Sequence, residues 1–201
     1  MNDPELQEFV NLQRSAEDED FTETRSMRRA RTVFDFVEIA TFTVLIILLL
    51  SCFFLRHAVV EGASMDQTLA DGQHLIISDF LYSPKNGDII VFQPLNAEST
   101  APLIKRVIAT EGQTVQMQDG VVFVNGVAIS EPYVYLDGEI SPDHANYPET
   151  LIPEGYVFVL GDHRNNSKDS RYEEIGLVDM RSILGRVILR VTPFSKFGAV
   201  N

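Results

Sequence analysis

Polar and apolar positions divide this chain into two unlike parts. From Ile39 to Leu55 no residue is charged, in the run I-A-T-F-T-V-L-I-I-L-L-L-S-C-F-F-L. A membrane-spanning helix needs about 20 apolar residues, within a range of about 17–25. Phe34, Phe36 and Val37 lengthen the run toward that figure, with Asp35 and Glu38 near the headgroups. The pattern predicts an anchor over residues 32–56. A cleaved secretory signal fits less well, because the run exceeds the usual h-region and a long polar segment precedes it.

Beyond residue 57 the apolar pattern shortens. Strands are predicted at His74–Ser78, Asp88–Phe92, Leu103–Ala109, Thr114–Gln118, Val121–Val124, Tyr156–Leu160 and Ile183–Val191. Asp119-Gly120 and Asn125-Gly126 are tight-turn signals, so Thr114–Ile129 reads as two hairpins. Glu131–Pro153, rich in prolines and acids, reads as a long surface loop. No window sustains helical periodicity. The predicted fold class is mainly β, one domain at 57–201 behind an N-terminal span.

Charge adds orientation. The net charge of −13 is uneven: residues 1–24 hold eight acids and one arginine, and residues 25–31 hold four arginines and no acid. The arginines precede the span and only Arg56 follows closely, so the positive-inside rule puts the N-terminus in the cytoplasm and the domain outside. Residues 1–31 form an acidic tail with a basic flank, and the tail's composition predicts disorder. Residues 56–201 carry nineteen acids against eleven bases. No basic face emerges, so no nucleic-acid partner is expected. The same imbalance gives the domain no electrostatic attraction to anionic lipid. The one cysteine, Cys52, lies in the apolar run. A disulfide and a multi-thiolate zinc site are thereby excluded, and Cys52 reads as a small apolar side chain. No metal-ligand spacing or phosphate-cradling glycine loop is present, so no cofactor is expected.

Candidate chemistry centres on Ser64, in S-M-D-Q-T-L, and on Lys105, in L-I-K-R-V-I-A, 41 residues later. Serine is a weak nucleophile until a base takes its proton. A lysine among Leu103, Ile104, Val107 and Ile108 is a candidate base, because desolvation disfavours its charged form. Taken singly, Ser64 reads as a turn residue and Lys105 as a solvated strand lysine. On the residues alone a histidine base (His57, His74, His144 or His163) stays open, since such sites are recognised by geometry.

Four ordered blocks behind one span carry a resemblance: S-M-D-Q-T-L at 64–69, G-D-I-I-V-F at 87–92, I-K-R-V-I-A at 104–109, and G-D-H-R-N-N-S-K-D-S-R at 161–171 followed by G-L-V. Together they resemble the bacterial type I signal peptidases, in the single-span, Gram-positive-like form. The resemblance implies a signal-peptidase-like β-sheet catalytic domain. It also implies an endopeptidase that removes signal peptides from preproteins after small-x-small sequences, at the lipid bilayer. Ser64 would be the nucleophile, with its backbone N–H donating to the oxyanion, and Lys105 the general base. Ser167 would hydrogen-bond and orient the lysine, with Asp169, Arg171 and Arg106 as a polar brace and Arg106 able to pair with Asp169. Val60, Gly62, Met65, Leu69, Leu103 and Ile104 would line the substrate site. Gly62 stands where two-span enzymes place an oxyanion-donating serine. Gln67 replaces the proline of the first motif, so Gln67→Pro is expected to be tolerated or mildly stabilising. His163 replaces a common asparagine. Two other readings stay in view: a self-cleaving repressor, which would need a DNA-binding head, and an inactive paralogue that binds extended peptides by strand addition.

Overall fold

A computed structural model describes residues 30–49, 54–95 and 101–200, together with Gln7, Glu8, Asn11 and Met27. Most of the acidic segment, Arg25, Arg28, Arg29 and Cys52 lie outside the described residues. The chain divides into two compact units, Met1–Ser51 and Cys52–Asn201.

The described residues of the first unit include an apolar helix, α1 (Ala30–Leu49). Its 20 residues rise about 1.5 Å each, enough for a hydrocarbon core of about 30 Å. The Thr41 and Thr43 hydroxyls donate to the carbonyls of Val37 and Ile39 at 2.7 and 2.8 Å. Their polar groups are thus satisfied within the helix, as an apolar medium requires. Among the described residues α1 is the one helix long and apolar enough to cross a membrane, which supports a single-pass membrane protein.

The second unit is built from antiparallel strands. β1 (Arg56–Val59), β2 (His74–Ser78), β3 (Ile89–Phe92) and β4 (Leu103–Thr110) come first. Then follow β5 (Thr114–Gln118), β6 (Val121–Val124), β7 (Val127–Ala128), a short helix α2 (Pro142–Ala145), β8 (Tyr147–Leu151), β9 (Tyr156–Leu160), β10 (Val178–Asp179) and β11 (Ile183–Arg190). Seven strands form one curled sheet in the order β1-β2-β11-β3-β4-β9-β10, and four form a second in the order β7-β6-β5-β8. Both tight turns form as the sequence predicts. Asp119 and Gly120 have φ of 48° and 82°, and Asn125 and Gly126 have 52° and 74°. Two successive positive φ angles are the signature of the type I′ turn, whose twist matches the strands it joins.

Side-chain alternation explains the layers. In β3, Ile89 and Val91 enter one core with Val60, Met65, Leu69, Leu75 and Ile104. Ile90 and Phe92 enter another with Val107, Val157 and Val159. β3 is therefore buried on both faces, which a continuous apolar run permits. The small sheet packs Val115, Met117 and Val122 onto Ile108, Phe158 and Leu160.

The segment 131–153 is not the plain loop expected. It contains α2 and β8, and β8 pairs with β5. Only Tyr147 and Thr150 of β8 are even partly buried, so the strand is held by main-chain pairing and leaves little apolar signal. β1 and β10 also escape sequence detection. β1 directly follows the apolar run and β10 is two residues long, so neither shows a period of its own.

Candidate active site

The turn after β1 carries Ser64. Its base is closed where the Val60 N–H donates to Gln73 O and the Gly72 N–H to Val60 O, both at 2.9 Å. Met65 and Leu69 are buried in the core below, so the turn is anchored by apolar burial on one side. The N–H groups of Thr68 and Leu69 donate to Met65 O at 3.1 and 2.7 Å. This tight loop puts Gln67 at φ 71°, the left-handed region that costs a side-chain-bearing residue roughly 1–2 kcal/mol. Proline cannot take that angle, because its ring holds φ near −65°. The expectation that proline would be accepted at Gln67 is overturned.

β4 carries Lys105, which is only 2% exposed. Its Nζ donates to Ser64 Oγ at 2.7 Å and to Ile104 O at 3.0 Å. Loss of solvent around the amine lowers its pKa from 10.5 to about 8. Asp169 and Asp162 pull it back up, and Arg171 pushes it down. A neutral amine is thus accessible near neutral pH beside a serine hydroxyl, the arrangement that general-base activation of serine needs.

Behind this pair runs the segment after β9. Arg106 makes a two-pronged pair with Asp162, Nε to Oδ1 at 2.9 Å and Nη2 to Oδ2 at 2.7 Å. Thr68 Oγ1 donates to the same carboxylate at 2.6 Å, so Asp162 ties the lysine strand to the serine turn. The Arg106 guanidinium also lies 3.9 Å from the Tyr133 ring centroid. The sequence-based pairing of Arg106 with Asp169 is therefore corrected. Asp169 pairs with Arg171, at 2.8 Å from both Nε and Nη2, and accepts from the Gly161 N–H at 3.0 Å. Two separate buried pairs stand where one brace was expected.

Ser167 is also placed differently from its expected role. It is buried, but its Oγ makes no hydrogen bond with any described residue, and the Lys105 amine is held by Ile104 O and Ser64 Oγ instead. Ser167 packs against Gly161, where an added Cβ would overlap the Ser167 hydroxyl and sit 2.6 Å from Ser64 O. Gly161 is needed for that close approach.

A cleft of about 410 Å³ opens at the serine and lysine, lined by Val60, Met65, Leu103 and Ile104 along with β1 residues His57 to Val59. β1 and β4 are separated by three strands in the sheet order, and the curl of the sheet brings both to the cleft. Two expected lining residues are elsewhere. Leu69 is wholly within the core. Gly62 is exposed, and its N–H donates to Asp71 at 2.8 Å.

Sequence reasoning missed Asp162, Thr68, Gly161 and the buried pair of Arg164 with Glu131. The only available signal was the density of charge in G-D-H-R, which reads equally well as a solvated turn. No group of three or more His, Cys, Asp or Glu suited to a metal ion occurs among the described residues.

A curled antiparallel sheet, an N-terminal span and a buried lysine against a serine define a class, the membrane-anchored serine hydrolases. Comparison with known proteins narrows it. The family described as signal peptidase, peptidase S26, matches residues 33–192. Signal peptidase I of Bacillus licheniformis is 33% identical over 190 residues, covering 87% of this chain and 97% of its own length. Probable signal peptidase I-1 of Synechocystis is 35% identical over 163 residues, covering 77% of this chain and 80% of its own. A crystal structure of a signal peptidase I from Enterococcus faecalis matches at 31% identity with a TM-score of 0.42, covering 52% of this chain and 97% of that one. The chain belongs to the peptidase S26 family, among the bacterial type I signal peptidases, and is a hydrolase of the signal-peptidase type.

Proposed function

We propose that this protein is the endopeptidase that removes signal peptides from secreted preproteins, cutting after small-x-small sequences with Ser64 as nucleophile and Lys105 as general base. The observation that carries the reading is the 2.7 Å contact of a buried lysine with Ser64 Oγ, on an amine whose pKa is lowered to about 8.

The neutral amine takes the Ser64 proton as Oγ attacks the scissile carbonyl. The Ser64 backbone N–H donates to the resulting oxyanion, a role worth several kcal/mol in a preorganised site. The protonated lysine then gives its proton to the leaving amine. Water, deprotonated by the same lysine, releases the acyl group from Ser64. Asp162 with Arg106, and Asp169 with Arg171, hold the base strand and the serine turn in register. The signal-peptide end lies extended between β1 and β4. Val60, Met65, Leu103 and Ile104 leave room for small side chains, because larger ones overpack such a site at about 1–3 kcal/mol. The N-terminus is cytoplasmic and the catalytic unit faces outward, on the strength of the arginines before the span.

The test is hydrolysis of a signal-peptide-bearing preprotein by the full chain in detergent. Wild type should cut at the small-x-small site, and Ser64→Ala should not. Binding of the preprotein without cleavage by wild type would favour the inactive peptide-binding paralogue.

A further inference from the structure

His163 grips the two carbonyls that flank the Ser64 main chain. Its backbone N–H donates to Ser64 O at 3.1 Å, and its ring Nδ1 lies 3.1 Å from Ala63 O. A carbonyl can only accept, so Nδ1 carries the proton in that contact. His163 is only 2% exposed, and its Nε2 makes no hydrogen bond with any described residue. Nε2 lies 3.1 Å from Asp137 Oδ1, the Tyr135 ring centroid lies 4.8 Å away, and Asp66 Oδ2 is 3.8 Å from Nδ1.

Ala63 C=O and Ser64 N–H belong to one peptide unit. The unit is planar with a rotation barrier of about 18–20 kcal/mol, so in its trans form the two groups point in opposite directions. Whatever aims the Ala63 carbonyl therefore aims the Ser64 N–H. Among the described residues nothing accepts from the Ser64 N–H, whereas the carbonyl half of the unit is held by His163 and by the Asp66 N–H at 3.1 Å.

We infer that His163 is a positioning residue for the oxyanion site: by donating from Nδ1 to Ala63 O, it fixes the plane of the Ala63–Ser64 peptide and so the direction of the Ser64 N–H. The inference rests on the proposed role of that N–H. His163 touches no reacting atom, and its contribution is made in the transition state.

Four measurements on the full chain in detergent test it. Nitrogen-15 NMR of histidine-labelled wild type should show His163 protonated at Nδ1, and a bare Nδ1 would overturn the inference. His163→Leu should lower kcat by about 10- to 100-fold, the scale set by misaiming a catalytic group, with little change in KM. A peptide aldehyde, whose adduct with Ser64 presents an oxyanion, should lose affinity in parallel, while the cleaved signal peptide should bind as before. His163→Asn, which retains a donor, should restore kcat to within about 3-fold of wild type, as a donor at that position should. Unchanged kcat in His163→Leu, or equal loss of aldehyde and product binding, would overturn the inference. Should His163→Leu fail to fold, the nitrogen measurement and the asparagine variant decide. Failure of the catalytic reading itself registers separately, as hydrolysis retained by Ser64→Ala.

Discussion

Replacing Lys105 by methionine should abolish hydrolysis and yet stabilise the protein at neutral pH. The buried lysine ionises near 8 when folded and near 10.5 when free, chiefly through lost solvation. Below pH 8 it is charged in both states, so the folded state carries the full penalty, on the order of 3 kcal/mol. Between pH 8 and 10.5 the unfolded chain binds the extra proton, so wild-type stability rises with pH and the penalty is gone above that range. Methionine is unbranched, of similar length, and carries no charge to desolvate. It forfeits the hydrogen bonds to Ser64 Oγ and Ile104 O, worth about 1 kcal/mol each. The net gain at pH 7 is about 1 kcal/mol. A unit of this size shifts by roughly 2–4 °C per kcal/mol. The assay compares thermal unfolding of the wild type and Lys105→Met, full length in detergent, at pH 7 and pH 10.5. Other titrating groups are common to both proteins and cancel in the difference. Lys105→Met should melt a few degrees higher at pH 7 and should lose that advantage by pH 10.5. A variant less stable at pH 7, or a gap independent of pH, would refute the desolvation argument.

Catalytic rate should follow the same amine. If Lys105 is the base, the kcat/KM of preprotein cleavage should rise with pH through about 8, because only a neutral amine can accept the serine proton. A profile flat from pH 6 to 10 would remove Lys105 as the base. Asp162→Asn should lower stability by about 3–5 kcal/mol, since it strips a buried arginine of its carboxylate. Urea titration would show it, and a loss below 1 kcal/mol would mean that Arg106 finds another partner. Gln67→Gly should stabilise by up to about 1 kcal/mol by relieving the positive φ, whereas Gln67→Pro should destabilise. Melting temperatures in the reverse order would show that the turn relaxes to a different conformation.

Much of this protein was legible in short-range pattern. An uncharged run of membrane length needs no partner to be recognised. Period-two alternation marks β5, short apolar runs mark β2 and β6, and Asp119-Gly120 and Asn125-Gly126 mark the turns on either side of β6, because these signals arise within a few residues of backbone. Ser64 and Lys105 could be nominated because their chemistry is a property of the side chains and their setting is written in adjacent residues. Tertiary structure decided the rest. Closing 41 residues of sequence separation to a 2.7 Å contact depends on a sheet whose curl brings β1 and β4 to one cleft, and no local window encodes curl. Partner choice is equally non-local. Arg106 has two buried carboxylates within the same motif, and only packing assigns it Asp162 and leaves Asp169 to Arg171. β8 exists because β5 offers it an edge, so its own acid- and proline-bearing sequence reads as loop. The positive φ of Gln67 comes from anchoring Met65 and Leu69 in the core while Ser64 stays at the cleft, a constraint set by burial on both sides of a turn and invisible in its residues.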